Sequence, residues 1–261
     1  MNRASSEVLD KIATAPRLGD VDFEWTPVWH ESADRRLGFF VGRSAVPERW
    51  SDVILQGPHV TVATPLNQQP NETMRSNQDY AHIDLNAITG EFIPRTNYQV
   101  AMPFGKYSAA YPQWCGKSSA AFFRLAWREM CDPATVRTLH AALLAPEPAH
   151  VGGLLSLMTS EAVNLALMAG FTGSLLADFL VKVMSVGHVK TSTLGKIPHI
   201  RDHVTVAHGR RSTTAQEHCG GHPIPNGSGS STTGTTWNCP TPYRCSRAPS
   251  SCCAPTPTRS P

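Results

Sequence analysis

Two short motifs in this chain carry residue types suited to phosphate chemistry. His59-Val-Thr61-Val62 and His203-Val-Thr205-Val206 each set a histidine two residues before a threonine. Histidine side chains are suited to general acid–base work. A second group of residues suits nucleic acid. Arg124 and Arg128 share one face of a strand and can reach phosphates, or pair with Glu129 or Asp132 inside the fold. Arg95, Asn97 and Tyr98 offer phosphate, base-edge and stacking contacts, and turn-forming polar residues look the same. Lys190, Thr191, Ser192 and Lys196 form the loop best suited to a DNA backbone, with a solvated surface loop as the plain alternative. Gln56 and His59 flank a Gly-Pro turn, where a structural hydrogen bond is the expectation. No metal-ligand cluster, Gly-rich phosphate loop or serine nucleophile elbow stands out.

The elements that must position these residues are short. Residues 5–14 predict a helix stopped by Pro16. Strands are expected at Leu37–Arg43, Trp50–Leu55, Val60–Ala63, Tyr80–Leu85, Phe92–Ile93 and Tyr98–Met102, with Pro65–Asn77 as a polar loop. Phe122–Glu129 alternates, placing Phe123, Leu125 and Trp127 on one face and Arg124, Ala126 and Arg128 on the other. Asp132-Pro133 looks like a helix start, followed by a stripe of Val136, Leu139, Leu143 and Leu144. His150–Met158 predicts a strand. A helix then runs from Ser160 to about Ala169, before breaks at Gly170 and Gly173. Leu175, Leu176, Phe179, Leu180, Val183 and Met184 form the apolar stripe of a further helix, with Asp178 and Lys182 paired on another face. The switch of period predicts a mixed α/β (α+β) fold: short strands packed on two or three helices, followed by a disordered tail.

Composition divides the chain. From His208 to Pro261, 31 of 54 residues are Ser, Thr, Pro or Gly, and Ile224 is the only aliphatic larger than Ala. Such a segment buries too little apolar surface to offset its ordering entropy. It carries five of the seven cysteines, five arginines and one glutamate, leaving 18 basic and 19 acidic side chains in residues 1–207. A near-neutral body argues against strong independent binding to duplex, whose affinity rests on phosphate neutralisation. The apolar run Ala162–Ala177 is shorter than a membrane span. Without a continuous apolar stretch near the N-terminus, the expectation is a cytoplasmic chain with no membrane partner. The expected division is an N-terminal helix and linker at 1–20, a folded domain at 21–206 and a low-complexity tail at 207–261.

An ordered series of motifs carries a family resemblance. Gln56-Gly-Pro-His59, Ala63-Thr-Pro65, Asp84-Leu85, Pro94-Arg-Thr-Asn-Tyr98, Phe123-Arg-Leu-Ala-Trp-Arg128, Arg137-Thr-Leu139 and Thr193-Leu-Gly-Lys-Ile-Pro198 together resemble the C-terminal specificity region of adenine-specific DNA methyltransferases. The similar groups are the type IIG restriction–modification and PglX-like phage-defence methylases, over about residues 20–203. The resemblance implies a target-recognition domain that grips double-stranded DNA through Arg95, Asn97, Tyr98, Arg124, Arg128, Lys190, Thr191 and Lys196. In that family a separate domain binds S-adenosylmethionine and transfers the methyl group. Its Asn-Pro-Pro-Tyr-type tetrapeptide and Gly-rich loop are missing here, so the expectation is a fragment with no catalytic residues, no metal and no cofactor of its own. Its DNA binding is expected to be weak or to need the missing domain. The paired H-x-T motifs resemble the two-histidine phosphoesterases and imply a competing enzyme reading. An interaction protein with no nucleic-acid role is the third.

The abrupt loss of aliphatics after Ile197-Pro198 suggests that the segment from about 205 is a reading-frame product. GC-rich codons for Trp237–Thr256, read two bases later, can encode an apolar-rich stretch. The body is then expected to expose apolar surface where missing elements would pack. Gene sequencing tests this. The alternative frame past codon 205 should run open and methylase-like; stop codons there reject the reading.

Overall fold

A computed structural model describes residues 3–21, 23–26 and 28–199. His203, Thr205 and the tail lie outside the described residues.

The first half is built from α1 (Arg3–Thr14), β1 (Glu24–Thr26), α2 (Glu31–Arg36), β2 (Phe40–Ala45), β3 (Ile54–Leu55), β4 (Gln68–Pro70), β5 (Tyr80–His82), β6 (Thr96–Val100), α3 (Phe104–Ala110), β7 (Gln113–Trp114) and β8 (Lys117–Ser118). The second half supplies β9 (Arg124–Arg128), β10 (Ala141–Leu144), β11 (Ala149–His150), β12 (Leu154–Met158), α4 (Ala162–Thr172), α5 (Leu175–Val183) and α6 (Thr191–Leu194). The fold is therefore mixed α/β, with short strands in several small sheets.

One antiparallel four-stranded sheet, in the order β1-β12-β9-β10, organises the molecule. β9 is buried along nearly its whole length. Leu125 and Trp127 point into a core shared with Leu165 and Met168 of α4 and Val181 of α5. Ala126 points the other way, into a core with Val53, Leu55 and Val60. An aromatic core beside it joins Trp29, Phe40, Tyr98, Tyr107 and Tyr111. There the Trp29 indole donates to the Tyr107 hydroxyl at 2.9 Å.

Several expected elements differ. The segment after Asp132 is not a helix. Asp132 Oδ1 takes the Ala134 N–H at 2.8 Å, the Thr135 hydroxyl bonds Asp132 and Arg137 carbonyls, and the chain then extends into β10. Leu139, Leu143 and Leu144 fit period 3.6 and a strand buried on both sides equally well, and pairing with β9 decides. Trp50–Asp52 is a 3-10 turn, as is Gly57–His59, and Val60–Ala63 contributes only the isolated bridge Thr61–Thr64. The polar loop at 65–77 contains β4, which pairs with β5. α4 continues through Gly170 to Thr172.

The orientation of α5 is the largest reversal. Most of its apolar stripe faces outward: Leu175 is 75% exposed, Phe179 52% and Val183 59%, while Leu180 and Met184 pack against the core. Ala177, Asp178 and Val181 face the core instead. Asp178 Oδ1 accepts the backbone N–H groups of Thr138 and Leu139 at 2.7 and 2.8 Å, beside the Arg137 guanidinium at 3.6 Å. Lys182 does not pair with Asp178; its ammonium donates to the Thr135 carbonyl at 2.7 Å. Those backbone groups have no ladder partners of their own, so they draw the polar face inward. No single helix among the described residues is long and apolar enough to cross a membrane; α4 and α5 would pass only jointly, and they bend by 70°.

Three substitutions test this orientation by urea denaturation. Asp178→Ala should cost about 3 kcal/mol, because it strands two buried N–H groups and a guanidinium. Val181→Ala should cost about 1–3 kcal/mol. Phe179→Ser should stay within about 0.5 kcal/mol of the parent.

Candidate functional site

A concave polar surface lies where Pro16–Asp20 meets the chain around α6. Pro16–Asp20 runs beside α6 and the residues after it. The Leu18 N–H donates to the Ile197 carbonyl at 2.9 Å, Gly19 N–H to Gly195 at 2.8 Å and His199 N–H to Pro16 at 2.8 Å. The approach is close enough to favour glycine. A Cβ on Gly195 would meet the Thr191 carbonyl at 3.1 Å and Gly19 Cα at 3.3 Å. The result is an open groove of about 430 Å³ lined by Arg17, Asp20, Trp25, Thr191, Ser192 and Lys196, with both glycines on its floor.

The groove is held by the core beneath it. Leu18, Leu194 and Ile197 are fully buried in the cluster that holds Trp127. Trp25 packs edge-on against Trp127, with ring centroids 5.9 Å apart. The Arg17 guanidinium donates to the Ile12 and Ala13 carbonyls at the end of α1, at 3.2 and 3.1 Å. Two cations, two hydroxyls and one indole thus share one concavity, with Asp20 as the single anion. That set can contact a phosphodiester and stack on a base or sugar.

The structure separates the residues singled out from sequence. Thr191 and Lys196 line the groove, and Lys190 is exposed where α6 begins. Arg124 and Arg128 are not available for phosphates. Arg124 is fully enclosed and donates to the Pro148 carbonyl. Arg128 donates through Nε to the Val60 carbonyl and through Nη2 to Pro58 at 3.2 Å. Both lie on the second face of a strand whose two faces are covered. Arg95 is half-buried; its N–H donates to Gln69 Oε1 at 2.9 Å and its carbonyl faces His59 Nε2 at 3.0 Å.

Asn97 belongs to a polar cluster that joins two of the sequence motifs with Tyr80. Its Nδ2 donates to Gln56 Oε1 at 2.9 Å and to the Tyr80 hydroxyl at 3.0 Å, and Tyr80 donates to Gln56 at 3.1 Å. Tyr98 is not free to stack on a base. Its ring is buried edge-on against Phe40 at 5.1 Å and its hydroxyl donates to Glu31. Burial foremost, and then Glu31, hold that phenol above its ordinary pKa.

His59 does not have the exposure of a general acid or base. Its ring is fully buried, Nδ1 takes the Gln56 N–H at 3.1 Å, and Nε2 faces the Arg95 carbonyl. Burial is the main cause that lowers its pKa. Thr61 Oγ1 is engaged with His140 Nδ1 at 3.1 Å. Among the described residues no group of His, Cys, Asp and Glu could hold a metal ion.

Neither Arg17 nor Trp25 stands out in the sequence as a site residue. Arg17 reads as an ordinary residue after a helix-ending proline, and only the return of Ile197 to Leu18 brings it beside Lys196. Compared with known proteins, the chain matches no family model and no curated protein.

Buried histidines make stability pH-dependent. Burial lowers the pKa of His59, His140 and His150, the last to about 3. A histidine depressed on folding contributes its full stability above the unfolded value of about 6.5 and loses it as pH falls toward the folded value. The urea midpoint should therefore drop from pH 7 to pH 4. Each such proton contributes a slope of about 1.4 kcal/mol per pH unit. His150→Gln should remove about one proton from that slope.

Proposed function

We propose that this chain is a DNA-recognition module derived from an adenine-specific DNA methyltransferase, gripping backbone phosphates without transferring a methyl group. The observation that supports it is the groove that Arg17 and Lys196 line together with Thr191, Ser192 and Trp25. Lys190 is exposed just before Thr191, where α6 begins. The motif order from Gln56 to Pro198 supports the family reading, and three of those motif residues, Gln56, His59 and Asn97, meet in one polar neighbourhood. In this reading S-adenosylmethionine belongs to the parent enzyme's other domain, and duplex DNA is the partner. Asp20 and the near-neutral body keep the affinity modest.

A second reading, a protein-interaction module, is favoured by the outward apolar face of α5. Exposed apolar stripes of this kind mark protein contacts.

Fluorescence anisotropy with a labelled duplex separates the two. The Arg17→Gln/Lys196→Gln double variant should weaken binding by about tenfold at low salt and reduce the slope of log K against log salt by about 2. Unchanged binding in that variant, or no binding by the parent protein at low salt, would remove the DNA reading. Methyl transfer by the isolated chain would show the inactivity proposal wrong.

A further inference from the structure

A second cavity, of about 460 Å³, opens beside α2 and shares no lining residue with the groove. Val28 and Trp29 give it an apolar wall. Trp29 is fixed there by its bond to Tyr107 and by stacking on Phe39, with ring centroids 4.8 Å apart. Gly152 lines the cavity without a side chain, and a Cβ at that position would meet nothing within 4 Å.

Two opposite charges, Glu31 and Arg35, line the same space. They stand four residues apart on α2 with the acid first, the spacing and order at which a helix ordinarily pairs them. No ion pair joins them. The Tyr98 hydroxyl donates to Glu31 Oε1 instead, and Oε2 has no described donor. The Arg35 guanidinium lies along β2, with Nη1 3.4 Å from where a Cβ on Gly42 would stand, and no described oxygen accepts from it. The neighbouring polar side chains are already engaged. His30 Nδ1 takes the Ala33 N–H at 3.2 Å and faces Ser32 Oγ at 3.3 Å. An unpaired carboxylate oxygen and an unpaired guanidinium thus share an apolar-walled cavity of the size that small-molecule sites have.

We propose that this cavity binds a free α-amino acid with an apolar side chain. Its ammonium group meets the open oxygen of Glu31, its carboxylate takes the Arg35 guanidinium, and its side chain rests on Val28 and Trp29. A zwitterion suits the site because a simple anion is opposed by Glu31 and a simple cation by Arg35. The bound ligand completes the charge pairing that Tyr98 and the open position at Gly42 keep apart. Glu31 and Arg35 are both solvent-exposed, which limits the affinity to about the millimolar range. The proposal does not rest on the DNA reading of the groove.

Titration of the nitrogen-15-labelled full chain with L-leucine should move the Trp29 indole N–H resonance and saturate at about millimolar concentration. Leucinamide, which lacks the carboxylate, and N-acetyl-leucine, which lacks the ammonium group, should each bind about fivefold more weakly. Glu31→Gln keeps an acceptor for Tyr98 and should weaken leucine binding to the same extent, as should Arg35→Gln. Should either variant fail to fold, the two leucine derivatives on the parent protein decide. The proposal is overturned by the absence of a saturable shift with leucine, or by a shift confined to the Trp25 indole of the groove. Equal binding of leucine and both derivatives, or undiminished leucine binding by the folded variants, would overturn it as well.

Discussion

Both faces of β9 are covered, and the cover on one face is irregular chain. That face is roofed by the 57–60 turn and the 146–148 segment, which present carbonyl groups to the sheet. Buried carbonyls need donors, and no strand ladder reaches them. Arg124 and Arg128 project from β9 on the same side and supply those donors, to Pro148 and to Val60 and Pro58. The arginines therefore hold loops onto the sheet. The turn so held carries His59, which anchors the Arg95 carbonyl, and the adjoining Gln56 meets Asn97 and Tyr80. Much of the first half is organised from this one strand.

The opposite face of β9 is covered by α4 and α5, and the same rule governs how. Thr138 and Leu139 enter β10 with N–H groups that need an acceptor, and Asp178 provides one. The helix thus turns a carboxylate and Val181 inward and leaves Leu175, Phe179 and Val183 in solvent. Amphipathic periodicity identifies the helix correctly and its orientation wrongly. The pattern reports which residues share a face, and the buried backbone of a distant loop decides which face is inside. The fold class was legible because alternation at β9 and helical spacing at α5 are both strong. The helix expected after Asp132 was not, because leucines at that spacing serve a doubly buried strand as well.

The candidate site was legible in its C-terminal half. Thr191 and Lys196 stand out because a polar loop interrupts apolar chain just before Ile197-Pro198. Arg17 carries no comparable signal. It acquires a role only through the pairing of Leu18 with Ile197 and Gly19 with Gly195, contacts between residues far apart in sequence. Arginines on an alternating strand were ambiguous by composition. Whether such a side chain meets phosphate or carbonyl depends on whether loops close over its face, which no local pattern records.

The distribution of arginine bears directly on how strongly the molecule can hold nucleic acid. Each guanidinium spent on interior carbonyls is lost to phosphate neutralisation, the main source of duplex affinity. With Arg124 and Arg128 inside and Arg95 half-buried, the groove has Arg17 and Lys196 as its cations and Asp20 as its anion. So small a cluster positions a backbone better than it captures one. In the proposed DNA reading, such a cluster belongs to a recognition element that acts beside a stronger DNA-binding partner, and the outward side chains of α5 offer an apolar surface for that contact.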